Sequence, residues 1–434
     1  MTYVKRLFPY GVSQQDDGSL QIAGHDLNFL AKEWGTPLYI YDAETFFGRC
    51  KEIEAILTKN YRGDFDISYA SKAYLSLGFA RKISDLELNL DTVSYGELAI
   101  AKQAGFPPNR VHLHGNNKSS AELQFALDWG IDNIVVDSLE ELEFLESLAR
   151  DSGNIARIWL RIMPGVDVDT HHHLQTGHIA SKFGISIVDG QAGKAIQIAR
   201  KSEWLRLTGL HTHIGSQIFT SQSYKRALEM LIDLAESESY VPEEISPGGG
   251  WGVPYVENDP VLDIDEVFHE ICETLHNACD RLNWPLPKLV IEPGRWLVAR
   301  AGVAIYSVGT TKFTSEGTFI VAVDGGMADN PRQALYNAKY SAFLVHDPDA
   351  NTEYQAALVG KYCESGDQLI PAIMLPRVKR GDLIVIPMSG AYHLSLSSNY
   401  NLASRPAVLW LEQGKVDVLQ QRECIEKTGW WVSG

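Results

Sequence analysis

Phe65-Asp66-Ile67-Ser68-Tyr69-Ala70-Ser71-Lys72-Ala73-Tyr74 opens as an apolar run and closes on a lysine. Residues 65–68 read as a buried strand, which puts Lys72 at a strand's C-terminal end. A lysine alone carries little weight, because most lysines are solvated surface charges. The unit around it carries more, because it recurs. Further apolar runs stand at 86–90, 110–113, 133–136, 157–162, 207–213, 244–246 and 288–291, each followed by a turn and a helical stretch. The run at 244–246 is the weakest.

Three of the intervening helices open on a serine with a glutamate three residues later: Ser94/Glu97, Ser119/Glu122 and Ser138/Glu141. Such pairs satisfy helix-start amides reciprocally. Gly105 and Gly130 stand where two of these helices should stop. Eight strands alternating with helices predict a (β/α)8 TIM barrel over 38–300. An open doubly wound sheet is the rival, and the count of eight favours closure.

Beyond Arg300 the rhythm changes. Runs at 303–308, 318–323, 354–359, 383–387 and 407–411 follow without long helices, and Gln413-Gly414-Lys415 reads as a turn into 416–420. This predicts a C-terminal, mostly antiparallel β domain over 301–434. Residues 1–37 read as a lead-in that packs with that domain and adds a strand to it. A helix is expected from Ala43 to about Lys59.

Bulk properties narrow the class. The chain has 434 residues, 45% hydrophobic and 21% charged, as in soluble globular proteins. Its net charge is −17, which opposes nucleic-acid binding because phosphates reward a basic surface. Five scattered cysteines without metal-type spacing suggest a reducing compartment. The opening MTYVKRLFPYG lacks the apolar run of a signal peptide, and no stretch approaches the roughly 18 apolar residues of a membrane span. A cytoplasmic location is expected, with no membrane partner.

Barrel enzymes place their chemistry at the C-terminal ends of the strands. Reading those ends yields Lys72, Asp91, His114, Asp137, Arg161, His213, Gly248 to Gly250, Glu292 and Arg295. Ser246-Pro247-Gly248-Gly249-Gly250-Trp251-Gly252 would let backbone amides approach an anion, unless it is an ordinary flexible turn. His211 and His213 stand two apart on a strand and would face one side, an arrangement that also suits zinc. His171-His172-His173 reads as a loop without a metal role. Glu292-Pro293-Gly294-Arg295 offers an acid beside a guanidinium, or a structural ion pair. Lys361-Tyr362-Cys363-Glu364-Ser365-Gly366-Asp367 places a thiol, two acids and glycine in the second domain.

Together these pieces resemble the fold-type III pyridoxal-phosphate decarboxylases of alanine racemase/ornithine decarboxylase-like architecture. Among them the branch acting on diaminopimelate is most similar. The resemblance runs through YASKAY (69–74), DTVSYGEL (91–98), HGNNKS (114–119), HHHLQTG (171–177), SKFGI (181–185), GLHTHIGSQ (209–217), GGGWG (248–252), EPGR (292–295), VDGGMADNPRQALY (323–336), CESGD (363–367) and GAYHLSLSSNYN (390–401). It implies pyridoxal 5'-phosphate as cofactor and no metal. Lys72 would carry the cofactor, His213 stack on its ring and Glu292 face the pyridine nitrogen. Ser216, Gly249, Gly250, Gly294, Arg295 and Tyr392 would surround the phosphate. Arg295, Arg332, Tyr336 and Tyr392 would bind substrate, the first three at its distal carboxylate. Cys363 and Glu364 would come from the second subunit of a homodimer, with Glu364 taking the distal ammonium and Cys363 taking part in catalysis. A pair between Lys182 and Asp367 would span the interface. The implied reaction is decarboxylation of meso-diaminopimelate at its D-centre to L-lysine and CO2, a step of lysine biosynthesis. Another diamino acid, such as D-lysine, D-ornithine or a siderophore intermediate, is the alternative. Tyr74, Gln333, Lys361-Tyr362 and His393 depart from the usual family residues without removing a charged group.

Overall fold

A computed structural model describes residues 4–165 and 182–427, so His171–His173 lie outside the described residues. The chain divides into two compact units, one made of 51–252 with 261–294, the other of 1–50, 253–260 and 295–434.

The first unit is a closed barrel. Its strands are Phe65–Ala70, Asn89–Thr92, Val111–Leu113, Asn133–Val136, Ala156–Met163, Leu205–His211, Glu244–Gly248 and Lys288–Ile291. Each pairs in parallel with the next, and the last pairs with the first through Leu289 opposite Phe65. Closure removes both sheet edges and excludes the open doubly wound alternative. The strands are short and apolar because helices cover their outer face and side chains fill the inside. Helix Ile264–Leu282 shows the pattern: Ile264, Val267, Phe268, Ile271, Cys272, Leu275 and Cys279 are buried, one stripe at helical spacing. Asp263 caps its start by accepting from the Glu266 amide, and Asn283 ends it in the left-handed region.

The strand Glu244–Gly248, weakest by sequence, is anchored by its first side chain. Glu244 Oε2 accepts from Trp159 Nε1 at 2.7 Å and Asn133 Nδ2 at 3.1 Å, inside the barrel. Only one of the three serine–glutamate pairs closes reciprocally, that of Ser119 with Glu122. Ser94 and Ser138 accept from the expected amides. Glu97 turns instead to the Val93 amide, and Glu141 takes Lys118 Nζ at 2.6 Å. A buried ammonium outcompetes a solvated cap amide for a carboxylate.

The second unit carries a sheet ordered Gln368–Leu375, Tyr354–Val359, Phe319–Val323, Gly302–Phe313, Leu38–Asp42, Ala407–Glu412, Lys415–Gln420. Leu383–Ile386 also pairs with Gly302–Phe313. Only two pairings are parallel, so the sheet is mostly antiparallel. Three features differ from the sequence reading. Leu38–Asp42, expected to open the barrel, is an inner strand of this sheet between Gly302–Phe313 and Ala407–Glu412. Its uninterrupted burial suits either environment, so the pattern could not choose. Gln368–Leu375 was unread because it is an edge strand of mixed burial interrupted by Pro371. The lead-in adds no strand to this sheet. Its segments Val12–Gln14, Leu20–Ile22 and His25–Asp26 form a sheet of their own. Phe8, Leu20, Ile22, Leu27 and Leu30 nevertheless share a core with Ile40, Val303, Ile305, Val385 and Leu409.

Candidate active site

In the barrel, Lys72 sits on a turn of 3-10 helix, Ser71–Ala73, directly after Phe65–Ala70. Its neighbours Ser71 and Ala73 are buried while its own side chain is exposed, so the ammonium is presented to the barrel's C-terminal end. The Glu292-Pro293-Gly294 turn packs beside it. The Ala70 amide donates to the Pro293 carbonyl at 3.1 Å, and a Cβ on Gly294 would lie 3.1 Å from that of Ala70.

Glu292 is buried and served on both oxygens. His211 Nε2 lies 3.0 Å from Oε2, and Ser246 Oγ donates to Oε1 at 2.9 Å. Burial pushes the carboxyl up, but His211 and then His114 outweigh it, so Glu292 lies below the usual carboxylate range and is ionised at neutral pH. Asp91, at the end of Asn89–Thr92, accepts from Ser68 Oγ at 2.5 Å and faces His112 Nδ1 at 3.1 Å. Burial pushes His112 down, yet Asp132 and Asp91 on its two nitrogens raise it to about 10.

The two histidines expected on one face of a strand part company. The strand stops at His211, which is buried against Glu292. His213 lies in the loop beyond, partly exposed, with Nδ1 accepting from the Gly249 amide at 3.3 Å. Burial and then the Lys72 charge push His213 well below the ordinary histidine range, so its ring is neutral. Metal-capable geometry lies elsewhere: Asp91, His112 and His114 form one close set, and His114, His211 and Glu292 another.

The glycine run is a close approach, not a flexible turn. A Cβ on Gly249 would stand 2.0 Å from the Glu292 carbonyl oxygen, and one on Gly250 2.1 Å from that of Gly215. Ile218 donates to the Gly250 carbonyl at 3.0 Å and Tyr224 Oη to that of Gly249 at 3.1 Å. The first bond ties the run to the loop that holds partly exposed Ser216, and the second ties it to the helix Gln222–Ser237.

The second unit holds the other candidate residues. Arg295 and Arg332 are buried among aromatic rings. Arg295 Nη1 donates to Tyr255 Oη at 2.6 Å, and its guanidinium lies 4.5 Å from the Tyr392 ring centre. Arg332 donates to Tyr340 Oη, and its guanidinium lies 4.7 Å from the Tyr255 ring centre. Burial pushes the Tyr255 phenol up, but the two arginines prevail and lower it. Tyr336 is not in this cluster. On the helix Arg332–Tyr336 it is 43% exposed, while Arg332 is buried. Tyr255 and Tyr340 stand beside the two arginines instead, and the sequence does not mark either, since tyrosines in loops carry no periodic signal. Cys363 and Glu364 are exposed. Asp367 is buried and accepts from the Met327 amide at 2.6 Å and the Tyr362 amide at 2.7 Å, tying down that loop. Lys182 is exposed, with its ammonium 4.9 Å from the Phe183 ring centre.

Comparison with known proteins gives this chemistry its setting. Residues 49–299 match the family described as pyridoxal-dependent decarboxylase, pyridoxal binding domain. Diaminopimelate decarboxylase of Bacillus subtilis (strain 168) is 41% identical over 426 residues, covering 97% of both chains. The chain belongs to the diaminopimelate decarboxylase family. The crystal structure of the M. jannaschii diaminopimelate decarboxylase superposes with a TM-score of 0.89 at 31% identity, covering 96% of each chain. That of the Helicobacter pylori enzyme complexed with L-lysine gives 0.82 at 32%, covering 92% of this chain and 97% of that one.

A family member requires pyridoxal phosphate, and the residues fit it. Lys72 offers an amine for its aldehyde and ionised Glu292 a partner for a pyridinium. The glycine run is a cradle that any Cβ would fill.

Proposed function

We propose that this chain decarboxylates meso-diaminopimelate at its D-centre, giving L-lysine and CO2, as a cytoplasmic homodimer. The observation that carries the substrate assignment is the pair of buried guanidiniums, Arg295 and Arg332, set among phenols. Among the described residues no carboxylate lies within ion-pair distance of Arg332. A buried cation without a counter-ion is costly, and a substrate carboxylate removes that cost. A diamino acid lacking a distal carboxylate would leave it in place.

Bound pyridoxal phosphate supplies a protonated ring that accepts the electron pair left by the departing CO2. Lys72 would hold the cofactor through its side-chain amine. Glu292, kept ionised by His211 and His114, would hold the proton on the pyridine nitrogen. His213, neutral and fixed through Nδ1, presents its ring face to the cofactor. Ser216, Gly249, Gly250, Gly294 and Arg295 gather the phosphate, with Tyr392 beside it. Arg295 and Arg332 bind the distal carboxylate. Glu364 of a second copy binds the distal ammonium and Cys363 of that copy completes the site, which accounts for their exposure in one chain. Among the described residues no helix is long and apolar enough to cross a membrane.

The test is CO2 and lysine release with added cofactor from meso-diaminopimelate, D-lysine, D-ornithine and L-ornithine. Lysine from the first alone is expected. Turnover of another diamino acid, with none of the first, would overturn the substrate assignment and leave the cofactor chemistry standing.

A further inference from the structure

The Arg332 guanidinium is oriented by a phenol, and that phenol needs somewhere to send its own proton. Tyr340 Oη accepts from Arg332 Nη1 and lies 2.8 Å from His393 Nε2. His393 is 1% exposed, and burial followed by the charges of Arg332 and Arg295 keeps its ring neutral. A neutral imidazole donates from one nitrogen and accepts at the other. His393 Nδ1 faces Tyr39 Oη at 3.3 Å, and Tyr39 Oη lies 3.0 Å from Asp329 Oδ2. Asp329 also accepts from Tyr306 Oη at 2.5 Å and from the Gly326 amide at 2.9 Å.

One proton arrangement satisfies the whole chain. Arg332 donates to Tyr340, Tyr340 to His393 Nε2, His393 Nδ1–H to Tyr39, and Tyr39 to Asp329. With the other tautomer, Tyr340 would lose its acceptor and Asp329 would lose the Tyr39 proton. The first loss leaves a buried hydroxyl proton unpaired, whereas Asp329 keeps Tyr306 and the Gly326 amide. The ring packing holds the same members in place: Tyr340 and Tyr39 both meet the His393 ring edge-on, with centroids 5.2 Å and 5.9 Å away.

We infer that His393 is a positioning residue for substrate selection. By accepting the Tyr340 proton it turns the phenol's lone pair toward Arg332 and fixes that guanidinium for a carboxylate at the far end of the substrate. This rests on the proposed reading of Arg332 as a ligand of that carboxylate. His393 itself touches no substrate.

The test uses four variants of the full holoenzyme: His393→Leu, His393→Gln, His393→Asn and Tyr340→Phe. A glutamine can accept near the Nε2 position and so keeps the Tyr340 bond. An asparagine reaches only the Nδ1 side and keeps the Tyr39 bond. For each, kcat and KM are measured for meso-diaminopimelate, and KM or an inhibition constant for D-lysine, which lacks the distal carboxylate. Expected for His393→Leu, His393→Asn and Tyr340→Phe is a KM for meso-diaminopimelate raised about tenfold, the scale of one lost hydrogen bond. Their kcat should stay within about twofold and the D-lysine constant should not change. His393→Gln should retain the wild-type KM. Equal changes for both ligands, or rescue by asparagine as good as by glutamine, would overturn the inference and leave His393 a packing residue. Should His393→Leu fail to fold, the glutamine–asparagine contrast decides alone. A wild-type enzyme that binds D-lysine as tightly as meso-diaminopimelate would instead overturn the role of Arg332.

Discussion

Replacing Gly249 with alanine forces a methyl group between two strand ends. The new Cβ would stand 2.0 Å from the Glu292 carbonyl oxygen and 2.8 Å from its carbon. Ordinary contact begins near 3.4 Å, so the two backbones must part by about 1.4 Å, with no flexible side chain to absorb the shift. The hydrogen bond that the Glu292 amide donates to the Gly248 carbonyl, 3.0 Å long, lies in the path of that movement. Overpacking of this kind costs about 1–3 kcal/mol. Moving the Glu292 backbone also moves the carboxylate proposed to face the cofactor, and a displacement of about 1 Å costs on the order of 100-fold in rate. Titration of the apo-enzyme with pyridoxal phosphate, followed by absorbance, should show a Kd at least about tenfold above wild type, with a lowered melting temperature. Gly130→Ala is the control. Gly130 also needs a positive φ, +69°, but nothing lies within 4 Å of its added Cβ. That variant should lose about 1–2 kcal/mol of stability and keep its cofactor affinity. Wild-type affinity in Gly249→Ala would refute the cradle.

Glu292→Gln should still bind the cofactor but lose about 100-fold or more in kcat, because a neutral amide cannot hold the pyridine proton; single-turnover decarboxylation measures this. Burial raises the Asp329 carboxyl to about 6, above its unfolded value of 3.8. The folded state therefore holds its proton more tightly, so this group lowers stability fully above pH 6 and the penalty is relieved as pH falls toward 4. Asp329→Asn should remove that dependence, worth up to about 3 kcal/mol, in urea melts compared at pH 7 and pH 4.5. For His112 the sign is opposite. Its folded value of about 10 exceeds 6.5, so its contribution is full below pH 6.5 and fades toward pH 10, and His112→Gln should flatten the alkaline loss of stability.

Much of the site was legible because barrel chemistry gathers at strand ends and strand ends are legible. Lys72, Glu292 and the glycine run follow from locating apolar runs and reading what comes next. His211 could be read as a candidate, but not its task, because its partner Glu292 lies 81 residues away in sequence. Tyr255, Tyr340 and His393 stood in loops, where no period marks a buried side chain. The motif places Tyr336 in the clamp, yet it is 43% exposed while Arg332, one turn before it on the same helix, is buried.

The local pattern by itself determined the eight barrel strands, their helices and the change to β structure past residue 300. Those features depend on hydrophobic period and turn chemistry, which act over a few residues. Tertiary structure alone decided that Leu38–Asp42 joins the second sheet, that Glu141 leaves its cap for Lys118, and that a chain of phenols and one imidazole ties Arg332 to Asp329. Each depends on groups distant in sequence competing for one partner in a place without water, and only the folded chain sets that competition.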